Sequence, residues 1–486
     1  MKINKLIGAI MLLCSVSCSN WLDVEPSDTV TEELLFAEGS GYRTALHGVY
    51  RQMSEWSMYG QEMSWGMLDI MAQLYSSSQM SANSVYRKIM TKYDYEDKKI
   101  KPVFEAIWMK SYNSIANCNN LIGRITRTDG KLFAGGEEEK NLIQGEALAL
   151  RAYLHFDLLR LFAPAPIADD GKFYIPYFDK YPSIYEPAKT VPDVLDLIVR
   201  DLQEARKLVG AYDTIPSHKL VLENGYRLQN SGRNPQLPSD LFFLYRGYRM
   251  NYYAVTALLA RVYNYMGGLP SQQQDWHRLA FEASREVIEA KAREKLFVLS
   301  KAGDQSRKLF QGVIFGLSNQ YIIDQFKEYT NRYNEPGVNL VLEGYNTMFD
   351  DIGDIRNKHL TQKAGSYQVC NKYLTPPSSD PVEDLIPLIR LSEMYYICAE
   401  YYAAGKLWEE ARNALDDVRV GRNCTRGRLQ IKDWDSFKTE LLKEAKRDFM
   451  EEGQLFYYYK KLNEKPDSKM PDGGFVVPLP DCETIN

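Results

Sequence analysis

The stretch Gly145–Pro166, GEALALRAYLHFDLLRLFAPAP, limits most sharply what this chain can fold into. From Glu146 to Phe162 twelve of seventeen residues are apolar, interrupted only by Glu146, Arg151, His155, Asp157 and Arg160. A helix that is apolar nearly all round belongs inside a bundle, packed by other helices on most sides. At about 100° per residue, Glu146, Asp157 and Arg160 fall on one stripe and Arg151 and His155 on another, roughly opposite. Charges in so apolar a helix need partners, because unpaired burial costs several kcal/mol. Pro164 and Pro166 then end the helix. The stretch reads as the central helix of an all-α core.

The first residues follow a different logic. Lys2 and Lys5 precede the apolar run Leu6 to Leu13, and Ser15-Val16-Ser17-Cys18 follows. A short basic region, a brief apolar region and small residues make a signal peptide over 1–17, too short to serve as a permanent span. Small residues ending at a cysteine resemble the lipobox of a bacterial lipoprotein, with Ser15 where Leu is usual. Cys18 would then carry lipid and residues 18–30 would form a tether, leaving 31–486 as one domain held to a membrane. Cys118, Cys370, Cys398, Cys424 and Cys482 form no CxxC pair, so no zinc site is indicated. Cys118 and Cys398 sit in helical patterns and read as buried thiols, while a disulfide between distant cysteines stays open.

Helical spacing recurs along the body at Thr31–Met53, Phe104–Ile125, Val191–Leu208, Arg249–Met266, Asp275–Ala292, Leu391–Arg422 and Trp434–Leu462. Trp56–Tyr95 reads as helix fragments with loops. Asn117, Asn119 and Asn120 are poor helix formers, suited to hydrogen bonds across the bundle. Helix, small-residue turn, helix occurs at least twice, and Ala399, Tyr402, Gly405 and Ala411 resemble a tetratricopeptide hairpin. The expected fold is all-α dominated, a tetratricopeptide-like helix-pair scaffold with an irregular, loop-rich insert at about 294–387. An insert of that length is usually functional.

Chemistry is hard to find. There is no HExxH, Walker loop, GxSxG elbow or dinucleotide fingerprint. The histidines His47, His155, His218, His277 and His359 are too scattered to suggest a metal cluster, and Asp350, Asp351 and Asp354 read as a turn beside Gly353. No catalytic residue, metal or cofactor is expected. A net charge of −5 with no basic patch gives no reason to expect nucleic acid. Binding is better motivated, because 34 tyrosines suit both packed helices and sugar-stacking surfaces. Aromatics in irregular segments are candidate ligand platforms: Trp56, Tyr59, Trp65, Tyr75, Tyr321, Tyr329 and Tyr333.

Taken in order, these pieces resemble the SusD/RagB nutrient-uptake lipoproteins of the Bacteroidetes outer membrane. Cys18 with Leu22-Asp23 and Pro26 resembles the family's start, and Ala45-Leu46, Gly48 and Tyr50 its first helix. Trp108, Tyr112, Ile115 and Asn119-Asn120 resemble its W…Y…I…N helix. Arg151-Ala152-Tyr153 with Phe156-Asp157-Leu158 resembles its most recognisable signature. Leu258 to Tyr263 (LLARVY), Ile386 to Tyr395 (IPLIRLSEMY) and Pro478-Leu479-Pro480 match later segments. Two features depart from the family: Glu452-Gly453-Gln454-Leu455-Phe456 lacks the usual Arg of EGxRW, and Arg227–Leu244 is an unusual insert. The resemblance implies a surface-exposed lipoprotein that captures oligosaccharide, or in some branches peptide. It would act as the lid of a SusC-like TonB-dependent outer-membrane barrel and deliver the ligand without chemistry. A glycan- or peptide-degrading surface enzyme, or an assembly scaffold with no small ligand, are the rival readings.

Overall fold

A computed structural model describes residues 31–484 apart from 81–83, 230–231, 233, 270–274, 300–305, 332–339, 375–379 and 381. The signal peptide, Cys18 and the tether therefore lie outside the described residues, as does Tyr333.

The fold is all-α dominated. Thr31 caps a single turn, Glu32–Leu35, ahead of α1 (Gly39–Met53), so the expected first helix is broken in two. The next long helices are α2 (Lys101–Ile125), α3 (Gly136–Phe162) and α4 (Val191–Asp213). They are followed by α5 (Tyr252–Met266), α6 (Trp276–Ile288), α7 (Leu391–Ala404) and α8 (Trp408–Gly421). From α1 to α8, α1 packs on α2 and each later helix packs on its successor, which gives the tetratricopeptide-like pairs α3/α4, α5/α6 and α7/α8. The starts follow local chemistry: Asn251 and Asp275 accept hydrogen bonds from the first free backbone N–H groups of α5 and α6. Gly145 permits the closest pairing, since a Cβ there would lie 2.8 Å from Val209 Cγ1 on α4. The last helical region expected at Trp434–Leu462 divides into α9 (Trp434–Asp448) and α10 (Gln454–Lys461). Glu451 and Gly453 between them have φ of 61° and 68°, which a continuous helix cannot accommodate.

β1 (Phe173–Ile175) pairs with β2 (Lys189–Thr190) ahead of the insert, and the insert region adds β3 (Val313–Ser318), β4 (Thr361–Ala364), β5 (Tyr367–Cys370) and β6 (Leu385–Arg390) in two further two-stranded sheets. β3 runs antiparallel to β6, with Ser318 opposite Leu385, and β4–β5 is a hairpin turning at Gly365.

The charges of α3 do find partners, and each ties α3 to something different. Glu146 is fully buried and takes Arg246, Arg249 (2.6 Å) and the Tyr50 hydroxyl (2.7 Å). Arg246 also grips Asp213 at 2.8 Å, and Asp213 in turn accepts from the Tyr252 backbone N–H that opens α5. Burial alone would raise the Glu146 carboxyl, but Arg249 and Arg246 override it and hold it below its usual range. Arg151 pairs with Asp201 of α4 at 2.6 Å and with Asn119 of α2 at 2.9 Å. Asp157 accepts from Tyr59 at 2.6 Å and pairs with Arg160. His155 stacks on Tyr177 with ring centroids 3.9 Å apart, its Nδ1 against the Arg151 carbonyl and its Nε2 accepting from the Phe178 N–H. Burial lowers its pKa to about 3, so the ring stays neutral.

The insert Arg227–Leu244 is anchored by its first residue. The Arg227 guanidinium is fully buried and donates to the carbonyls of Leu222, Leu296, Gln311 and Val313. It lies over the Phe297 ring with no acidic partner among the described residues, and burial pushes its pKa down to about 9.

Candidate functional site

The loop-rich insert does not hang free. Ser76 N–H donates to the Val341 carbonyl (2.8 Å), Glu343 N–H to Leu74 (2.9 Å) and Leu342 N–H to Gln368 (2.9 Å). The early segment Leu74–Ser76, the passage Val341–Glu343 and β5 thus form one narrow ladder, with bridges at Tyr75–Leu342 and Val341–Val369. Above it opens a groove of about 500 Å³ between the 76–79 turn, residues 341–347 and the β4–β5 hairpin.

Its walls suit a polyhydroxylated ligand. Tyr367 is 40% exposed at the hairpin, and Tyr345 is half-buried with its hydroxyl fixed by Asn357 at 2.6 Å. Asn346, Gln79 and Gln368 bring planar amides, and Lys363 and Ser366 stand exposed at the rim. Rings for an apolar sugar face beside amides for its hydroxyl belt are the two elements such recognition needs.

The floor beneath is buried and charged. Tyr75 donates to the Trp65 carbonyl at 3.0 Å, with Asp69, Cys370, Lys372, Tyr373 and Glu451 close by. Glu452 takes both Arg390 (2.6 Å) and Lys372. Neither Asp69 nor Glu451 forms an ion pair among the described residues. Burial pushes the Glu451 carboxyl up to about 7, against the pull of the Cys370 thiol, Lys372 and Lys308 and with the repulsion of Glu452. Burial, then Glu451, pushes Asp69 up as well. A carboxyl raised on folding stabilises fully below its unfolded pKa near 4.5 and loses that contribution as pH rises through about 7. The thermal midpoint should therefore fall by a few degrees between pH 6 and pH 8.5. Glu451→Gln should flatten that slope; an unchanged slope would show that another group sets it.

The aromatic candidates fare unevenly, and three need correction. Tyr59, Trp65 and Tyr75 have no exposed surface. Trp65 is edge-on to Trp56 and Phe326 at 6.1 and 4.9 Å, with its Nε1–H on the Gly60 carbonyl. Tyr59 packs edge-on against Tyr153. These rings are core, because the segment 56–75 wraps under α3 rather than looping into solvent, and no face is left for a sugar. Trp56 is half-buried beside Trp65, and Tyr321 is 60% exposed. Tyr329 lies on the helix Ile322–Asn331, and none of Trp56, Tyr59, Trp65, Tyr75 and Tyr321 lines the groove itself. Tyr345 and Tyr367 went unnoticed in the sequence. Their one signal is position inside the insert, Tyr345 between Gly344 and Asn346 and Tyr367 between Ser366 and Gln368.

Elsewhere the structure gives structural roles. Asp354 caps Ile355–Leu360 and pairs with Arg356, Asp351 accepts from the Gly353 and Thr425 N–H groups, and Asp350 meets Arg419 and Arg447. Asn119 spans the bundle by donating to the Phe178 carbonyl. Cys118, Cys370, Cys398 and Cys424 are buried free thiols. Among the described residues, no group of three or more His, Cys, Asp or Glu could hold a metal ion. No described helix is long and apolar enough to cross a membrane.

Residues 20–219 match the SusD-like family described as "Starch-binding associating with outer membrane". SusD-like protein P2 of Formosa agariphila is 24% identical over 207 residues, which is 43% of this chain and 38% of that relative. The match therefore spans well under half of the relative's own length. A SusD superfamily protein from Bacteroides thetaiotaomicron VPI-5482 superposes with a TM-score of 0.61 at 23% identity, over 87% of this chain and 88% of the other. A SusD-like carbohydrate binding protein from Bacteroides vulgatus ATCC 8482 gives 0.64 at 18% identity, over 88% and 84%. A SusD superfamily protein from Bacteroides fragilis gives 0.61 at 15% identity, over 93% and 98%. At these identities the solved structures establish a shared fold.

Proposed function

We propose that the chain is a member of the SusD/RagB family, which the family match over residues 20–219 supports, and that it is a lipid-anchored outer-membrane protein that captures an oligosaccharide. It passes that ligand to a SusC-like TonB-dependent barrel without altering it. One observation carries the reading: the groove between the 76–79 turn, residues 341–347 and the β4–β5 hairpin, with Tyr367 and Tyr345 set beside the amides of Gln79, Asn346 and Gln368. The family description as starch-binding and the carbohydrate-binding relative from Bacteroides vulgatus support a glycan over a peptide. The polar residues of α3 support binding over catalysis, because each is consumed by a partner inside the scaffold.

Titration of the protein with malto-oligosaccharides and a panel of other neutral glycans tests this. At least one glycan should bind without being cleaved. Tyr367→Ala should weaken it about tenfold, the loss of a stacked ring and its contact area. Cleavage of the bound glycan, or affinity indifferent to Tyr367, would refute the site. Binding confined to peptides would refute the ligand class. The partner is tested separately, by co-purification of a barrel from outer membranes and loss of that barrel when Cys18 is changed to Ala.

A further inference from the structure

A second pocket lies away from the groove, where the turn after α4 meets the turn after α6. It encloses about 590 Å³ and is lined by Pro216, Ser217, Lys219 and Leu220 on one side and Lys291 to Arg293 on the other. Glu223 and Gln236 close its remaining edges. Three cations thus face one carboxylate, on a chain whose overall charge is −5. That carboxylate is already neutralised, since Glu223 holds the Arg293 guanidinium at 2.8 Å and accepts from its backbone N–H at 3.2 Å. Lys219 and Lys291 have no carboxylate partner among the described residues. Surface lysines are ordinarily scattered among acids, so two left over at one concavity make a local positive potential. The floor is different in kind: Leu220 is buried and presents an apolar base beside Pro216 and the half-buried Ala292.

We infer that this pocket binds a uronate residue of an acidic oligosaccharide. A uronate has one apolar ring face, a belt of hydroxyls and a single carboxylate. The Leu220 floor takes the ring face, Ser217 and Gln236 meet hydroxyls, and Lys219 and Lys291 take the carboxylate in charge-assisted hydrogen bonds. A neutral glucan supplies nothing for the two ammonium groups, which separates this site chemically from the groove, whose one lysine, Lys363, is accompanied there by Glu343.

The test uses the full-length protein with galacturonate and mannuronate trimers and their methyl esters, which keep ring and hydroxyls but lose the charge. A free trimer should bind about tenfold or more tighter than its ester, and its affinity should fall as salt is raised. Lys219→Gln with Lys291→Gln should remove that preference, and both changes are on the surface, so folding is preserved. Tyr367→Ala should leave uronate binding unaltered, which keeps this result separate from failure of the groove. Equal affinity for acid and ester, indifference to the lysine pair, or tighter binding of oligoglutamate would each overturn the assignment.

Discussion

Glu146→Ala should be among the most destabilising single changes in this protein, at about 3–5 kcal/mol. The residue sits on α3 with no exposure and satisfies Arg246, Arg249 and Tyr50 at once. Removing it leaves the buried Arg249 guanidinium with no carboxylate and Arg246 with Asp213 alone, and most of the cost is that uncompensated charge. The damage should spread along a defined path, because Arg246 also positions Asp213, which caps the first turn of α5. A fall in the urea midpoint measures the loss, with hydrogen exchange expected to rise first at the start of α5. Replacing Glu146, Arg246 and Asp213 together by apolar residues of like volume should cost less than Glu146→Ala alone. If the single change is as mild as a surface substitution, the cluster is not the joint it looks like.

Arg356→Ala should have a comparable effect, localised in the insert. Arg356 is fully buried and pairs with Asp354 at 2.7 Å, Glu444 at 2.8 Å and Asp448 at 3.1 Å. Its partners Glu444 and Asp448 lie on α9, so this one side chain fastens the segment before β4 to the scaffold. Losing it leaves acids facing each other with Arg419, Arg422 and Arg447 as the remaining cations. The expected result is detachment of the 345–370 region, seen as raised protease sensitivity there and weakened ligand binding in the groove it walls. The pH dependence supplies a check. Although burial opposes it, Arg422 and Arg356 hold Asp448 well below the usual carboxylate range, which stabilises the native protein above the unfolded pKa. Without Arg356 its buried carboxylates rise in pKa, so the deficit should shrink as pH falls below about 5. A deficit independent of pH would mean that lost packing, not charge, is what the change removes.

Much of the scaffold was legible along the chain because helix formation is a local affair. The apolar run of α3, the prolines that end it, and caps such as Asn251 and Asp275 act within a few residues. The charged residues of α3 announced that partners must exist but not which ones. Arg246 and Arg249 lie about a hundred residues from Glu146, at a turn just before α5 that nothing local marks as important. The same limit applied to the last helix, where positive φ at Glu451 and Gly453 is imposed by long-range packing against the core.

The aromatic platforms show the limit most clearly. A tryptophan or tyrosine in an irregular segment has the same local sequence whether it faces water or the underside of a helix. Trp65 and Tyr75 turned out to be core, while Tyr345 and Tyr367 came to line the groove through hydrogen bonds joining residues 74–76 to 341–343 and 368. By itself the sequence determined most of the helices and their pairing, since those follow from periodicity and short-range capping. Only the tertiary structure decided which charges are joined, which rings are buried and where a ligand could rest. Those depend on contacts between segments hundreds of residues apart, whose free energies no local pattern encodes.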